Sequence, residues 1–101
     1  RKYFKACEFT HGFQTDNILE KNLLNEHGVF NKVTNKKGCV RDHLSSRKYG
    51  FENNIDVKII SHPANCEIVL HAENVRRRAS RNDNQITLDE LLIKIEEYDN
   101  K

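Results

Sequence analysis

The stretch PANCEIVLHAENVRRR, residues 63–78, constrains the fold most, because a short apolar run in it leads directly into a segment that favours a helix. Ile68, Val69 and Leu70 fit a short buried strand. Residues 39–44 form a second strand candidate earlier in the chain. The sequence therefore predicts an α+β fold in which two strands precede a helix.

Two further helices are predicted on either side of this core. The first begins at Asp16, a good N-cap residue, and ends at Gly28 after about three turns. The second begins at Thr87, which forms a capping box with Glu90. Its apolar residues recur at helical spacing on one face: Leu88, Leu91, Leu92, Ile95 and Tyr98. This amphipathic C-terminal helix is expected to pack on the core.

The remaining segments carry weaker patterns. The N-terminal aromatic residues lack a clear period and favour a strand or an irregular hairpin: Tyr3, Phe4, Phe9 and Phe13. Residues 45–64 are predicted to form a long loop that apolar side chains anchor and Pro63 ends. A chain of 101 residues suits a single domain, 1–101, with a thin core.

Composition limits the classes of function. The net charge is only +2, so any contact with nucleic acid must come from local clusters of Lys and Arg. No apolar run approaches the ~18 residues that a membrane span needs, and no signal peptide is recognised, so we expect a soluble intracellular protein. Because the chain begins at Arg1 and lacks Met, we also expect it to be a piece of a longer protein.

Four polar residues stand at defined places in this predicted framework. Asp42 and His43 lie on the first strand, Asn65 comes just before the second strand, and Asn74 lies on the helix, nine positions after Asn65. This order of residue types resembles the HNH endonuclease family. The matching motifs are RDH at 41–43, PANCEIVL at 63–70 and HAENVRRR at 71–78.

The resemblance covers residues 38–78 and implies a ββα-metal core and a residue-by-residue assignment. Asp42 and Asn74 would hold one divalent metal ion, Mg²⁺ with Mn²⁺ as a substitute. His43 would be the general base, and Asn65 would orient the segment that carries His43. The implied activity is hydrolysis of DNA phosphodiester bonds, and the segment looks closest to phage or mobile-element enzymes such as homing endonucleases.

The chemistry of the reaction agrees with these residue types. An in-line water needs a base whose pKa lies near the working pH, and histidine supplies one. A hard oxygen-ligated cation can neutralise charge on the phosphate and on the departing oxygen. Neighbouring strand residues point to opposite faces, so Asp42 and His43 can serve one phosphate only at the strand's end or where the backbone twists.

Cysteines are few and do not suggest a zinc site. They are odd in number and lack CxxC spacing, which indicates reduced thiols: Cys7, Cys39 and Cys66. Many HNH relatives hold a structural zinc with two CxxC pairs. Here the first pair is reduced to Cys7 and Thr10, and Leu70 and Glu73 replace the second, so no structural zinc is expected.

Basic residues near the motif are predicted to contact phosphates: Arg41, Arg47, Lys48, Arg76, Arg77, Arg78 and Arg81. Such a charge run can also be only a solvated face, but its position directly after the motif helix favours phosphate contacts. His71 or Glu73 could replace Asn74 as the metal ligand, and Asn65 could be a simple turn residue. The competing functions are a non-catalytic nucleic-acid-binding module of the same fold and a protein-interaction domain that uses the terminal helix.

Overall fold

A computed structural model of the chain describes residues 2–80 and 84–101. The described residues form six α-helices, one 3₁₀ turn and a two-stranded antiparallel sheet, so the α+β class is confirmed. The elements in chain order are α1 (Lys2–Ala6), α2 (Ile18–His27), β1 (Cys39–His43), α3 (Arg47–Glu52), α4 (Val57–Ile60), the 3₁₀ turn (Pro63–Asn65), β2 (Cys66–Leu70), α5 (His71–Ala79) and α6 (Leu88–Asp99).

The chain divides into two compact units, each built from segments that are distant in sequence. The first, which we call the helical unit, contains residues 2–12, 43–66 and 84–101. The second, which we call the sheet unit, contains residues 13–42 and 67–80. Within the described residues, the backbone passes from one unit to the other after residues 12, 42 and 66.

The helical unit has an apolar core. Its fully or almost fully buried members come from four different segments: Cys7, Ile55, Ile60 and Leu91. Burying a side chain of the size of Ile60 or Leu91 contributes about 1.5–3 kcal/mol each. Helix α1 packs on α3 at Gly50. A Cβ at this position would overlap the Tyr3 hydroxyl and lie 2.7 Å from Ile60 Cγ1, so only a residue without a side chain fits. Glycine therefore permits the close approach.

The predicted long loop at residues 45–64 is wrong, because the segment contains α3, α4 and the 3₁₀ turn. Each begins at a side chain that accepts a hydrogen bond from a backbone N–H of its first turn: Ser46 from Tyr49, Asp56 from Lys58, and His62 from Ala64. Elements of three to six residues are too short to show a hydrophobic period. Pro63 begins the 3₁₀ turn instead of ending the segment.

The predicted N-terminal strand or hairpin is also wrong, because residues 2–6 form α1. The Tyr3 hydroxyl donates a 2.6 Å hydrogen bond to the Ile55 carbonyl oxygen, and the Tyr3 ring packs edge-on against Phe51. A five-residue helix is not stable alone. Tertiary contacts with the core therefore decide its conformation, and no local pattern reports them.

Helix α6 is confirmed together with its capping box. The Thr87 side chain accepts a hydrogen bond from Glu90 N, and the Glu90 carboxylate accepts one from Thr87 N. Leu91 is completely buried, whereas Leu92 and Tyr98 remain 43% and 44% exposed. The face that packs on the core is therefore narrower than the periodicity predicts.

The sheet unit follows the sequence prediction closely. The N-cap of helix α2 is Asn17 instead of the predicted Asp16, and its C-cap is Gly28, which has a φ of 69°. Asn17 Oδ1 accepts hydrogen bonds from the N–H groups of the following turn. The predicted strands and the helix after β2 are confirmed, and the strand residues Cys39, Ile68 and Val69 are buried.

Two expectations from composition bear on the fold. The three cysteines are free thiols, as their number and spacing predict. Among the described residues, no helix is long and apolar enough to cross a membrane.

Candidate active site

The register of the sheet brings two carboxylates together. Leu44 N donates to Asn65 O at one end of the ladder, and His71 N donates to Gly38 O at the other end. Both bonds join residues whose numbers sum to the same value, so Asp42 lies directly opposite Glu67. Like charges at opposed positions of two strands destabilise a sheet. The pair therefore requires a cation.

Arg77 of α5 supplies that cation within the sheet unit. Its Nη1 lies 3.0 Å from Asp42 Oδ2 and 2.8 Å from Glu67 Oε1. Its Nε donates a 3.2 Å hydrogen bond to Glu73 Oε2, one turn earlier in the same helix. The side chains of Arg77 and Asp42 are only 15% and 17% exposed, so solvent screens their attraction weakly. Arg77 thus holds three carboxylates together.

The pKa values of these groups follow from their contacts. Burial lowers the pKa of Arg77, but the hydrogen bonds to Glu67 and Asp42 outweigh burial and raise it overall. Hydrogen bonding to Arg76 is the main cause that lowers the pKa of Glu73, and Arg77 adds to it. Both shifts favour the charged forms of Arg77 and Glu73, which strengthens the ion pair between them.

His43, the predicted base, lies at the carboxyl end of β1 and is held by the N-terminal segment of the helical unit. Its Nε2 lies 2.7 Å from the Cys7 carbonyl oxygen. Its ring stacks on Phe9, with centroids 4.1 Å apart and planes inclined by 17°. A carbonyl oxygen only accepts hydrogen bonds, so Nε2 must carry the proton. In the neutral imidazole the lone pair is then on Nδ1.

The Cys7 carbonyl is itself fixed in place. Cys7 N continues the hydrogen bonding of α1 by donating to Tyr3 O at 3.1 Å. The Cys7 side chain is fully buried in the apolar core, and burial raises the pKa of its thiol. Cys7 therefore acts as a buried apolar anchor, and its backbone oxygen presents a rigid acceptor to His43.

Asn65 is buried and fixes the residues that follow His43. Its Nδ2 donates to the carbonyl oxygens of Ser45 and Ile60 at 3.0 and 2.9 Å, and its Oδ1 accepts from Ser45 N at 2.7 Å. Its backbone oxygen accepts from Leu44 N. Asn65 also ends the 3₁₀ turn. Its contacts are therefore compatible with both interpretations of this residue, as a turn former and as an orienting residue.

Asn74 lies on α5 in the sheet unit, one turn before Arg77. Residues three apart on a helix share a face, so Asn74 is on the side of α5 that carries Arg77. The alternatives to Asn74 have other partners. Glu73 binds Arg76 and Arg77. The His71 ring stacks on Phe30 with centroids 3.8 Å apart.

The donor types at Asp42 and Asn74 fit a divalent metal ion of the magnesium class, since carboxylate and amide oxygens are its usual protein ligands. The ion pair with Arg77 also shows that a cationic group can lie against the Asp42 carboxylate in this fold. Among the described residues, no group of three or more His, Cys, Asp and Glu side chains could hold a metal ion. Only a site with few protein ligands, completed by water and substrate phosphate, is therefore compatible with these residues.

Two of the residues predicted to contact nucleic acid pack on aromatic rings. The Arg41 guanidinium lies over Phe13 in the sheet unit, 5.0 Å from the ring centroid. The Arg47 guanidinium lies over Phe4 in the helical unit at 5.3 Å. Cation–π contacts of this kind orient the guanidinium but do not consume all of its hydrogen-bond donors.

The other predicted contacts differ in their surroundings. Lys48 and Arg78 are exposed. Arg76 is 73% exposed and pairs with Glu73, whereas the donors of Arg77 go to carboxylates. Arg81 lies outside the described residues. The predicted phosphate contacts of these side chains stay predictions.

The sequence reading missed three residues that shape the site. Glu67 could have been found from the strand register, because it is as far before Leu70 as Asp42 is after Cys39. Cys7 and Phe9 hold His43 from a segment that is distant in sequence, and no pattern in the chain announces this contact.

Comparison of the chain with protein-family models, with curated proteins and with solved structures finds no match.

Proposed function

We propose that this chain is a metal-dependent endonuclease with an HNH-type ββα core, which hydrolyses DNA phosphodiester bonds with His43 as the general base. The observation that carries the proposal is the fixed imidazole: the Nε2–H of His43 is bound by a backbone carbonyl, and its ring is stacked on Phe9. Intracellular DNA is the proposed substrate, and a phage or mobile element is the proposed origin.

His43 would take a proton from the attacking water at Nδ1. The hydrogen bond from Nε2 to the Cys7 carbonyl selects this tautomer and stabilises the imidazolium that forms, because a bond to a charged donor is the stronger one. Phe9 stacking prevents rotation of the ring away from the reacting water. Asn65 would hold the backbone of Leu44 and Ser45, the two residues after His43, and so fix the His43 main chain.

Asp42 and Asn74 would hold the metal through their oxygen atoms, and adjacent basic residues would bind the flanking phosphates. When bound, the divalent ion supplies positive charge to the phosphate and to the departing oxygen. Asp42 and His43 are neighbours in the chain, so their Cα atoms are about 3.8 Å apart. The strand ends at His43, and a strand end is where neighbouring side chains could serve one phosphate, which supports the proposal.

Cleavage of supercoiled plasmid tests the proposal. Wild-type protein is expected to nick the plasmid with Mg²⁺ or Mn²⁺ and to be inactive in EDTA. The His43→Ala variant is expected to lose at least about a hundredfold in rate, the usual contribution of a general base. His27→Ala, a histidine at the end of α2, is the matched control and should cleave at the wild-type rate. Equal nicking by the wild type and His43→Ala would overturn the assignment.

The pairing of Arg77 with Asp42 favours a second candidate function, a nucleic-acid-binding module without catalysis. In that case the guanidinium would permanently take the place of the metal. Filter binding at low salt then shows DNA affinity in a preparation that nicks no plasmid in either metal. Metal-dependent nicking excludes this candidate.

A further inference from the structure

Arg77 contacts the carboxylate that the proposed function assigns to the metal. Its Nη1 is 3.0 Å from Asp42 Oδ2, and both side chains are more than four-fifths buried. A guanidinium and a divalent cation cannot both be close to this carboxylate without strong repulsion. Each of the two positive groups therefore weakens the binding of the other to Asp42.

The other contacts of Arg77 would allow it to leave Asp42 without losing every partner. The same Nη1 lies 2.8 Å from Glu67 Oε1, and Nε donates to Glu73 at 3.2 Å. Arginine carries five N–H donors on a flexible chain. After a small rotation it would still be paired with two carboxylates, so the cost of releasing Asp42 is limited.

We propose that Arg77 is a positioning residue that occupies the place of the cation at Asp42 in the resting protein and competes with the metal for this carboxylate. The inference rests on the proposed function, since it concerns the metal that Asp42 would bind. Arg77 keeps Asp42 oriented against the like charge of Glu67, and the apparent metal affinity of the resting protein is lower by the free energy of displacing Arg77.

Exposed Arg76 offers a matched comparison on the same helix. It pairs with Glu73, and its side chain is 73% exposed. Removing Arg76 changes the net charge of the protein by the same amount as removing Arg77. A difference between the two variants therefore isolates the contact with Asp42 from the general effect of charge.

Titration calorimetry with Mn²⁺ alone, on the full chain without DNA, tests the inference. Arg77→Gln is expected to bind Mn²⁺ at least about tenfold more tightly than the wild type, because no guanidinium has to be displaced. Arg76→Gln should remain within about twofold of the wild type. Arg77→Lys, which keeps the charge but loses the planar fork, should fall between them and also serves if Arg77→Gln does not fold.

Asp42→Asn distinguishes failure of this inference from failure of the proposed function. In an Asp42→Asn, Arg77→Gln double variant, the gain in affinity is expected to disappear. Binding that requires Asp42 but is equal in the wild type and both Arg77 variants overturns the competition and leaves the proposed metal site intact. Absence of Mn²⁺ binding in every protein, or binding that Asp42→Asn does not weaken, overturns the metal site of the proposed function and the competition with it.

Discussion

The helical unit and the sheet unit are similar in size but differ in the interactions inside them. The helical unit encloses an apolar core of Cys7, Ile55, Ile60 and Leu91. The sheet unit has fewer buried apolar residues and places an arginine among three carboxylates, Asp42, Glu67 and Glu73. Apolar packing fixes a single arrangement, whereas ionic partners can be exchanged.

This difference matches the two roles that the proposed chemistry needs. A general base has to stay in one orientation and one tautomer, and the contacts that fix His43 belong to the unit with the apolar core. A metal ligand has to accept and release a cation, and Asp42 belongs to the unit with exchangeable ionic partners. Substitutions in the apolar core and in the ionic cluster should therefore differ in how strongly they lower stability and in how they respond to salt.

Truncation of the apolar core should have the largest effect. Leu91→Ala is expected to lower the free energy of unfolding by about 2–5 kcal/mol, through lost burial and the cavity that remains. The adjacent Leu92 is 43% exposed, so Leu92→Ala should cost under about 1 kcal/mol. Urea denaturation of both variants measures the difference, and equal losses would mean that Leu91 is not a core residue.

Removal of the buried amide should come next. Asn65→Ala leaves the Ser45 amide and two carbonyl oxygens without their side-chain partner, which is expected to cost on the order of 3 kcal/mol. Asn53 makes one exposed hydrogen bond, so Asn53→Ala is the control and should change stability by about 0.5 kcal/mol or less. Thermal unfolding checks both values. A neutral Asn65→Ala would refute the orienting role.

The ionic cluster should respond to salt where the apolar core does not. Arg77→Gln is expected to destabilise the protein by about 1–3 kcal/mol, because the like charges of Asp42 and Glu67 then face each other. Because Arg77 and Asp42 are largely buried, 1 M salt should screen the cluster only in part, so this loss should shrink by a fraction of its value while the Leu91→Ala loss should not shrink. Unfolding of both variants at low and high salt gives the comparison, and a loss independent of salt would argue against an ionic role.

The smallest effect is expected at Tyr3. Tyr3→Phe removes the hydrogen bond to Ile55 O and should cost about 1 kcal/mol at neutral pH. Burial is the main cause that raises the pKa of Tyr3 to about 12, above its ordinary value of 10.0. A folded pKa above the unfolded value means that the contribution is complete below pH 10 and is lost as the pH rises towards 12.

Stability measurements at alkaline pH separate the contribution of the Tyr3 hydroxyl from those of other groups. Wild type should lose stability more steeply than Tyr3→Phe between pH 10 and pH 12, since the two proteins differ only in the Tyr3 hydroxyl. Urea denaturation as a function of pH measures the two slopes. Parallel slopes would show that Tyr3 ionises equally in the folded and unfolded chain.

The sequence predicts the elements whose signals are local. The Thr87 and Glu90 capping box identifies α6, and the glycine at position 28 identifies the end of α2. Helices α1, α3 and α4 have four to six residues and escape detection, because their stability comes from packing against the core. The caps at Ser46 and Asp56 were readable signals, but without a hydrophobic period they do not distinguish a short helix from a turn.

The candidate site was predictable only in part, for the same reason. The order of Asp42, His43, Asn65 and Asn74 is visible in the chain, and so is the run of arginines after them. The partner of each side chain is not, since the Arg77 contact depends on strand register and helix packing together. The Cys7 carbonyl oxygen contacts His43 because the Cys7 side chain packs in the apolar core, and this packing has no local sequence signal.

The protonation of the His43 ring tests the central claim most directly. Long-range ¹H–¹⁵N correlation of the histidine rings at neutral pH shows which nitrogen carries the proton. The proposed base requires the proton on Nε2, donated to the Cys7 carbonyl, and a pyridine-like Nδ1. A His43 ring with its proton on Nδ1, or an even mixture of the two tautomers, would contradict the account.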